Sequence, residues 1–216
     1  MTTNAIARIA VFFDGTFYSM VSSYYRHIHS RKLNLSFTGV HEFIRHCIAK
    51  QEQVDVNFCQ IVESHFFRGR FSLNMAIERD SLTADRFVDQ LLMNAGIVSH
   101  YYPMNENANP PEEKGIDVWL ALEAYDLAVH KRADVLVLFS GDQDFVPMVR
   151  KVNSTGTRVM LLTEDVRWTD VHGQSRYINV SQRLSNESTY RVILSEEIEK
   201  PHPPEEAQII DGLFVQ

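Results

Sequence analysis

Residues 136–145 read LVLFSGDQDF, an apolar run that stops abruptly at small and acidic residues. An apolar run that includes β-branched residues is typical of a strand buried on both faces of a parallel sheet. Ligands of open α/β sheets bind just beyond the carboxyl ends of such strands. Asp142 and Asp144 are therefore expected at a ligand-binding edge. Two carboxylates there are unfavourable unless a cation neutralises them.

A second stretch repeats this pattern near the start of the chain. Residues 8–13 read RIAVFF and are followed by Asp14, Gly15 and Thr16. Each Asp alone is typical of a helix cap or a turn. Three acids at the ends of two parallel strands instead favour a metal site, and their hard oxygen ligands suit Mg²⁺ or Mn²⁺. Chemistry on phosphates is the leading hypothesis.

Length and composition limit the class of protein. A chain of 216 residues is long enough for one α/β domain with a sizeable core. The net charge of −7 argues against a generic nucleic-acid coat, but a nuclease with a local basic rim remains possible. Residues 1–7 lack the basic start and apolar run of a signal peptide, and no apolar stretch approaches the ~20 residues of a membrane helix. We therefore expect a cytoplasmic protein with no membrane partner.

Strand and helix patterns alternate through most of the chain, which predicts an α/β fold with a parallel sheet of about five strands and right-handed crossovers. The predicted strands are 8–13, 54–62, 97–102, 133–139 and 157–162. The predicted helices are 17–25, 40–49, 82–95, 114–129 and 145–154. The pattern indicates a domain over residues 1–165, an extension at 166–199 that packs on it, and an acidic, proline-bearing tail at 200–216. The extension could hold a strand at 176–180 and a short helix.

Three motifs together resemble the NYN domain family, a branch of the PIN-like nucleases. They are Asp14-Gly15-Thr16, the segment Lys114-Gly115-Ile116-Asp117-Val118 with its helix through Glu123, and Ser140-Gly141-Asp142-Gln143-Asp144-Phe145 with Pro147. The resemblance covers roughly residues 8–163. It implies a PIN-like, Rossmann-like three-layer α/β/α sandwich over residues 1–165. It also implies a metal-dependent endoribonuclease that hydrolyses RNA phosphodiester bonds.

The resemblance also implies which residues form the site. Asp14, Asp117, Asp142 and Asp144 match the acidic cluster that would serve as catalytic groups and as ligands of one or two Mg²⁺ or Mn²⁺ ions. Thr16, Ser140 and Glu123 are expected around these acids. Ser140 is equally typical of a helix N-cap. Glu123 lies six residues after Asp117, and on an ideal helix this places it well off the same face.

Three basic residues are candidates for RNA contact. Lys114 precedes the helix that carries Asp117, where it could bind phosphate, although a lone Lys is usually a solvated surface residue. Arg68 and Arg70 lie among aromatic residues, a composition that suits single-stranded RNA. We expect Phe66, Phe67 and Phe71 themselves to belong to the core. The expected partner is RNA, single-stranded in this interpretation.

One departure from the family pattern bears on activity. Many family members have Asn where this chain has Phe17, and Phe cannot form a hydrogen bond to substrate or position an acid. A non-catalytic RNA- or protein-binding module with a degenerate site is therefore an alternative. A haloacid dehalogenase-like phosphatase fits less well because Phe12 stands where its nucleophilic Asp would be. A homodimer is also possible, since the aromatic segment 17–25 could cover a partner, although a core role explains that segment as well.

Overall fold

A computed structural model describes residues 6–215 and contains a central sheet of six parallel strands. Their order across the sheet is β4-β3-β1-β5-β6-β9. The strands are β1 Ala7–Asp14, β2 Asn34–Leu35, β3 Cys59–Arg70, β4 Val98–Pro103, β5 Val135–Phe139, β6 Arg158–Thr163, β7 Val166–Thr169, β8 Ser175–Ile178, β9 Tyr190–Ile193 and β10 Phe214–Val215. The predicted α/β fold is confirmed, with six strands in the sheet rather than about five.

The central strands are buried on both faces, as their continuous apolar sequences predict. On β1, Ile9, Val11 and Phe13 face one side of the sheet, and Ala10 and Phe12 face the other. All five side chains are fully buried. This alternation divides the core into two layers of apolar side chains, one on each face.

Helices cover both faces and complete the three-layer sandwich. They are α1 Gly15–His27, α2 Phe37–Glu52, α3 Leu73–Glu78, α4 Leu82–Asn94, α5 Ile116–Val129, α6 Val146–Ser154, α7 Gln182–Glu187, α8 Leu194–Glu199 and α9 Pro204–Gly212. The buried residues of α1, α2, α4, α8 and α9 belong to one core layer. Those of α5, α6 and α7 belong to the other. The PIN-like architecture predicted from the resemblance is thereby confirmed.

The second predicted strand, at 54–62, was wrong in its position. Its first part forms a single 3-10 turn, Val56–Phe58, which Asp55 caps by accepting a hydrogen bond from the backbone N–H of Asn57. The strand β3 begins at Cys59 and continues to Arg70. Phe66 and Phe67 are buried in it, as expected of core residues.

The C-terminal part of the chain is more ordered than its composition indicates. The extension at 166–199 contributes the β7–β8 hairpin, close to the predicted strand at 176–180, and β9, the sixth strand of the sheet. The predicted tail at 200–216 was wrong for residues 204–215, which form α9 and β10. Strand β10 pairs with β2, and Ile210, Leu213 and Phe214 are buried. Prolines and acids dominate the composition of this segment, but burial of its few apolar residues determines its structure.

The aromatic segment 17–25 lies in α1 and packs mainly into the core. Phe17, Tyr18, Val21 and Tyr25 are all buried. Because these side chains are buried, they are not available to cover a second copy of the chain. The homodimer itself is not tested by this packing and stays a prediction. Among residues 6–215, no helix combines the length and apolar character needed to cross a lipid bilayer.

Candidate functional site

The strand order places a crevice at the carboxyl ends of β1 and β5. Strand β3 lies on one side of β1, and β5 lies on the other, so the chain winds in opposite directions from this point. Such a switch point opens a crevice because the connections leave the two strands toward opposite sides. Asp14 ends β1, and Ser140 directly follows β5. The two motifs predicted to meet therefore meet at this crevice.

Asp14 is held in place by three hydrogen bonds. Its Oδ1 accepts from the backbone N–H groups of Thr16 at 3.1 Å and Phe17 at 3.0 Å, which makes it the N-cap of α1. Its Oδ2 accepts from the hydroxyl of Ser140 at 2.9 Å. A carboxylate offers about four lone-pair directions, so one remains for a ligand. The cap and the predicted metal-site role are thus compatible for this residue.

Burial raises the pKa of Asp14 to about 6, although the hydrogen bonds from Phe17 and Ser140 act in the opposite direction. The negative charges of Asp117 and Glu113 raise it further. The carboxylate therefore sits in an environment that disfavours its ionised form.

Ser140 joins the ends of β1 and β5. Its hydroxyl donates to Asp14 and accepts from the backbone N–H of Asp142 at 3.2 Å. The side chain is fully buried, so the orientation of both acids depends on it. Ser140 thus lies beside the acids, where it was expected. The alternative role as a helix N-cap is not observed, because Asp142 is the N-cap of the turn that follows.

Asp142 and Asp144 follow β5 on one 3-10 turn. Asp142 is its N-cap, and its Oδ1 accepts from the backbone N–H of Asp144 at 2.9 Å. Both residues are exposed, as is Gln143 between them. The turn therefore presents two carboxylates to solvent at the crevice.

Asp117 is contributed by a helix, in the first turn of α5. Burial and the negative charges of Asp142, Glu113 and Asp144 raise its pKa. Every charged group that shifts this pKa is itself a carboxylate. Asp117 therefore lies within electrostatic reach of the other three predicted acids.

Glu113 is a member of the site that the sequence did not reveal. Its Oε2 accepts from the Thr16 hydroxyl at 2.7 Å, and its Oε1 accepts from the Gly69 backbone N–H at 2.7 Å. A Cβ atom on Gly69 would lie 2.5 Å from the Glu113 side chain, so the close approach requires glycine. In the sequence, the one feature that could have pointed to Glu113 is its position directly before the Lys114–Val118 motif. We name Asp14, Glu113, Asp117, Asp142 and Asp144 together the acid edge.

The acid edge fits a hard divalent cation in the chemistry of its donors. Carboxylate oxygens are the ligands that Mg²⁺ and Mn²⁺ prefer. A cation would favour the ionised forms of Asp14 and Asp117, which burial and the neighbouring carboxylates disfavour. Within residues 6–215, however, no three Asp, Glu, His or Cys side chains are arranged as a ready metal site. The side chains of the exposed Asp117, Asp142 and Asp144 would have to rotate toward a bound ion.

Comparison with known proteins agrees with this geometry. The NYN domain family model matches residues 8–168. The chain belongs to the NYN domain family. A crystal structure of a Vibrio parahaemolyticus protein of unknown function shares the fold, with a TM-score of 0.58 and 16% identity over 89% of this chain and 96% of that one. No curated protein matches the chain.

Phe17 of this NYN domain has a structural role. Its ring is buried and packs against Phe139 with centroids 5.8 Å apart. A Cβ atom on Gly141 would lie 2.8 Å from this ring and 2.8 Å from the carbonyl oxygen of Asn179. Phe17 therefore fixes the turn after β5 by packing, at the position where many family members have Asn.

The other predicted residues lie outside the cluster of acids or are already paired. Glu123 accepts from the indole N–H of Trp119 at 2.9 Å, on the side where Trp119 packs against His100. Lys114 is exposed and pairs with Glu112 at 2.8 Å. These contacts give Glu123 and Lys114 structural partners of their own.

The two predicted arginines lie on β3. Arg70 pairs with Asp89 at 2.7 Å and stacks on the Tyr101 ring, with its guanidinium carbon 3.6 Å from the centroid. Arg68 is half-buried. Arg70 is thus committed to an internal contact, and the predicted role in RNA binding stays a prediction.

Two clefts open beside the acid edge of the NYN domain. One has a volume of about 630 Å³ and is lined by Asp14, Asp142 and Gln143, and by Tyr177 from β8. The other has a volume of about 660 Å³ and is lined by Gln143, Asp144 and residues of α6 and α7. Gln143 lines both, so the clefts meet at the turn that carries Asp142 and Asp144.

Proposed function

We propose that this NYN domain is a metal-dependent endoribonuclease that hydrolyses RNA phosphodiester bonds at the acid edge. The observation that carries the proposal is the meeting of Asp14, Asp117, Asp142 and Asp144 at the switch point of the sheet. Buried or crowded carboxylates destabilise a fold unless something compensates them, so a purely structural reason for gathering four is weak. Family membership supports the same assignment.

The roles of the chain's own residues follow from their positions. Asp117, Asp142 and Asp144 are exposed and would hold Mg²⁺ or Mn²⁺ together with the free lone pair of Asp14. A bound divalent cation supplies an activated water and stabilises the charge that develops on the phosphate. Ser140 fixes the Asp14 carboxylate and the Asp142 backbone in one orientation through its two hydrogen bonds. Glu113 holds Thr16 and Gly69 beside the cluster.

A non-catalytic RNA-binding module is the second candidate. Among residues 6–215 no three potential ligands form a ready metal site, and Phe17 replaces the usual Asn. Both observations favour a site that has lost catalysis. The experiment must therefore separate binding from cleavage.

The test is cleavage of a mixed single-stranded RNA pool with Mg²⁺, with Mn²⁺ and with chelator. Asp142→Asn is purified identically to expose any contaminating nuclease. Asp126→Asn, an exposed Asp near the far end of α5, is the matched control for loss of one negative charge. We expect cutting by the parent and Asp126→Asn only, and only with metal. Equal cutting by Asp142→Asn, or cutting in chelator, would contradict the proposal. RNA binding without cutting would establish the second candidate.

A further inference from the structure

Three of the eight residues that line the second cleft are basic. They are Arg150, Lys151 and Arg183, from α6 and the start of α7, and the remaining lining residues are Gln143, Asp144, Val146, Pro147 and Ser154. We name this cleft the basic groove. Its volume of about 660 Å³ begins at Asp144 of the acid edge and follows α6. Cations in a groove that starts at the site of chemistry are placed to bind the part of a long anionic substrate that lies beyond the reacting bond.

Two of these cations form no close ion pair. Arg150 forms an ion pair with Glu187. Among residues 6–215, Lys151 and Arg183 form no ion pair within 4.0 Å, and both are exposed. Arg183 also helps to lower the pKa of Glu187 on the same helix. The three cations of the groove nevertheless outnumber the acids Asp144 and Glu187 beside them, and this surplus of positive charge points to an anion from outside the chain. Phosphate groups spaced along a strand meet this requirement.

The cleft on the other side of the acid edge has a different character. Its rim includes Tyr177, whose side chain is 64% exposed, and Met20, which is 48% exposed. An aromatic ring left exposed in a cleft offers a face on which a nucleobase can stack. Bases are free to stack on protein only where the nucleic acid is single-stranded.

We propose that a single strand of RNA crosses the acid edge between the two clefts, with Lys151 and Arg183 binding its phosphates and Tyr177 stacking on a base on the opposite side. The strand passes over Gln143, which lines both clefts. This inference rests on the proposed function for its choice of RNA. In this path the phosphates bind Lys151 and Arg183, which form no close ion pair among residues 6–215, rather than Lys114 and Arg70, which are paired with acids of the chain.

The test measures binding separately from cleavage. All variants carry Asp142→Asn and are titrated with a fluorescent single-stranded RNA in chelator, over a series of salt concentrations. The double variant Lys151→Gln/Arg183→Gln is compared with Lys131→Gln/Arg191→Gln, which changes the net charge equally at exposed positions outside the groove. We expect the groove variant to bind about tenfold or more weakly. Its salt slope should fall by about 1.4, because each lost phosphate contact on a single strand removes about 0.7.

The stacking contact has its own pair of variants. Tyr177→Ala should weaken binding about fivefold or more, whereas Tyr177→Phe should bind like the parent because the ring is kept. A duplex of the same sequence should bind more weakly than the single strand. Tighter binding of the duplex, or equal effects of Ala and Phe, would refute the stacking part of the path.

The outcomes distinguish this inference from the proposed function. If both double variants bind RNA equally, the path is wrong, whatever the cleavage assay shows. If the groove variant alone loses affinity while the parent never cuts RNA, the path stands and the nuclease assignment falls. A parent protein with no measurable affinity for the RNA at any of these salt concentrations would also overturn the inference.

Discussion

Replacing Asp14 with Asn should stabilise the protein at about pH 8 in the absence of divalent metal. The pKa of Asp14 is about 6, against a reference value of 3.8. Below the reference value the carboxyl is neutral in both the folded and the unfolded chain, so its full contribution to stability is present. As the pH rises through about 6, ionisation disfavours the folded state and this contribution is lost.

The size of the effect follows from the shift. About two pKa units correspond to about 3 kcal/mol of differential free energy between the protonated and ionised forms. Asn is neutral at every pH, has the same shape, and caps a helix about as well as Asp. Its hydrogen bonds to the two backbone N–H groups are weaker than those of a carboxylate, which offsets part of the gain. We expect a net gain of about 2 kcal/mol at about pH 8, equivalent to about 4–8 °C in Tm.

Thermal denaturation followed by circular dichroism in chelator measures this gain at about pH 4 and about pH 8. The gain should be small at the lower pH, because Asp14 is then neutral in the folded protein and only about half ionised in the unfolded chain. Asp126→Asn, at an exposed position, is the control and should leave the difference between the two pH values unchanged. A gain of equal size at both pH values, or a loss at about pH 8, would refute the reasoning about Asp14.

Four further changes test other parts of the structure. Ser140→Ala removes two hydrogen bonds of a fully buried side chain and should cost about 1–3 kcal/mol of unfolding free energy; an unchanged Tm would contradict the link between the strand ends. Gly141→Ala should cost about 1–3 kcal/mol through overpacking, whereas Gly212→Ala meets nothing within 4 Å and should be neutral; equal Tm values would be the contrary result. Mn²⁺ at about 100 times its Kd should raise the unfolding free energy of the parent by about 2.7 kcal/mol, and chelator should reverse this gain. The gain should be smaller in Asp14→Asn, and an equal gain would show that Asp14 is not a metal ligand. Phe214→Ala should cost about 3–5 kcal/mol, since this buried ring docks the C-terminal strand, and a neutral effect would show that the strand is dispensable.

The sequence was sufficient for the parts of the fold that depend on local pattern. Apolar runs such as 135–139 can only be satisfied by burial on both faces, which requires a parallel sheet with helices on each side. The order of strands and helices then brings the ends of β1 and β5 together. For this reason Asp14 and Asp142 could be placed at one edge without any structural information.

The parts that were missed depend on contacts between distant segments. Glu113 ends a polar loop with no periodic pattern, and only the folded chain shows that it meets Thr16 and Gly69. The basic groove combines Lys151 of α6 with Arg183 of α7. Strand β6 and the β7–β8 hairpin separate these two helices along the chain. The segment 204–215 was mistaken for a tail because its acids and prolines obscure four apolar residues that pack on the domain.

The separation of charge at the crevice explains why net charge is a poor guide to this protein's partner. The acid edge repels phosphate, and in the proposal a divalent cation reverses that repulsion at one point only. A long RNA still needs attraction beyond that point, and in the proposed path Lys151 and Arg183 supply it on one side and Tyr177 on the other. A chain with net charge −7 can therefore bind a polyanion through local fields, because exposed charges separated by more than about 10 Å are largely screened at ordinary salt. Affinity for a polyanion falls with salt because each phosphate contact releases counterions, and the groove variant should show a smaller salt dependence together with its weaker affinity.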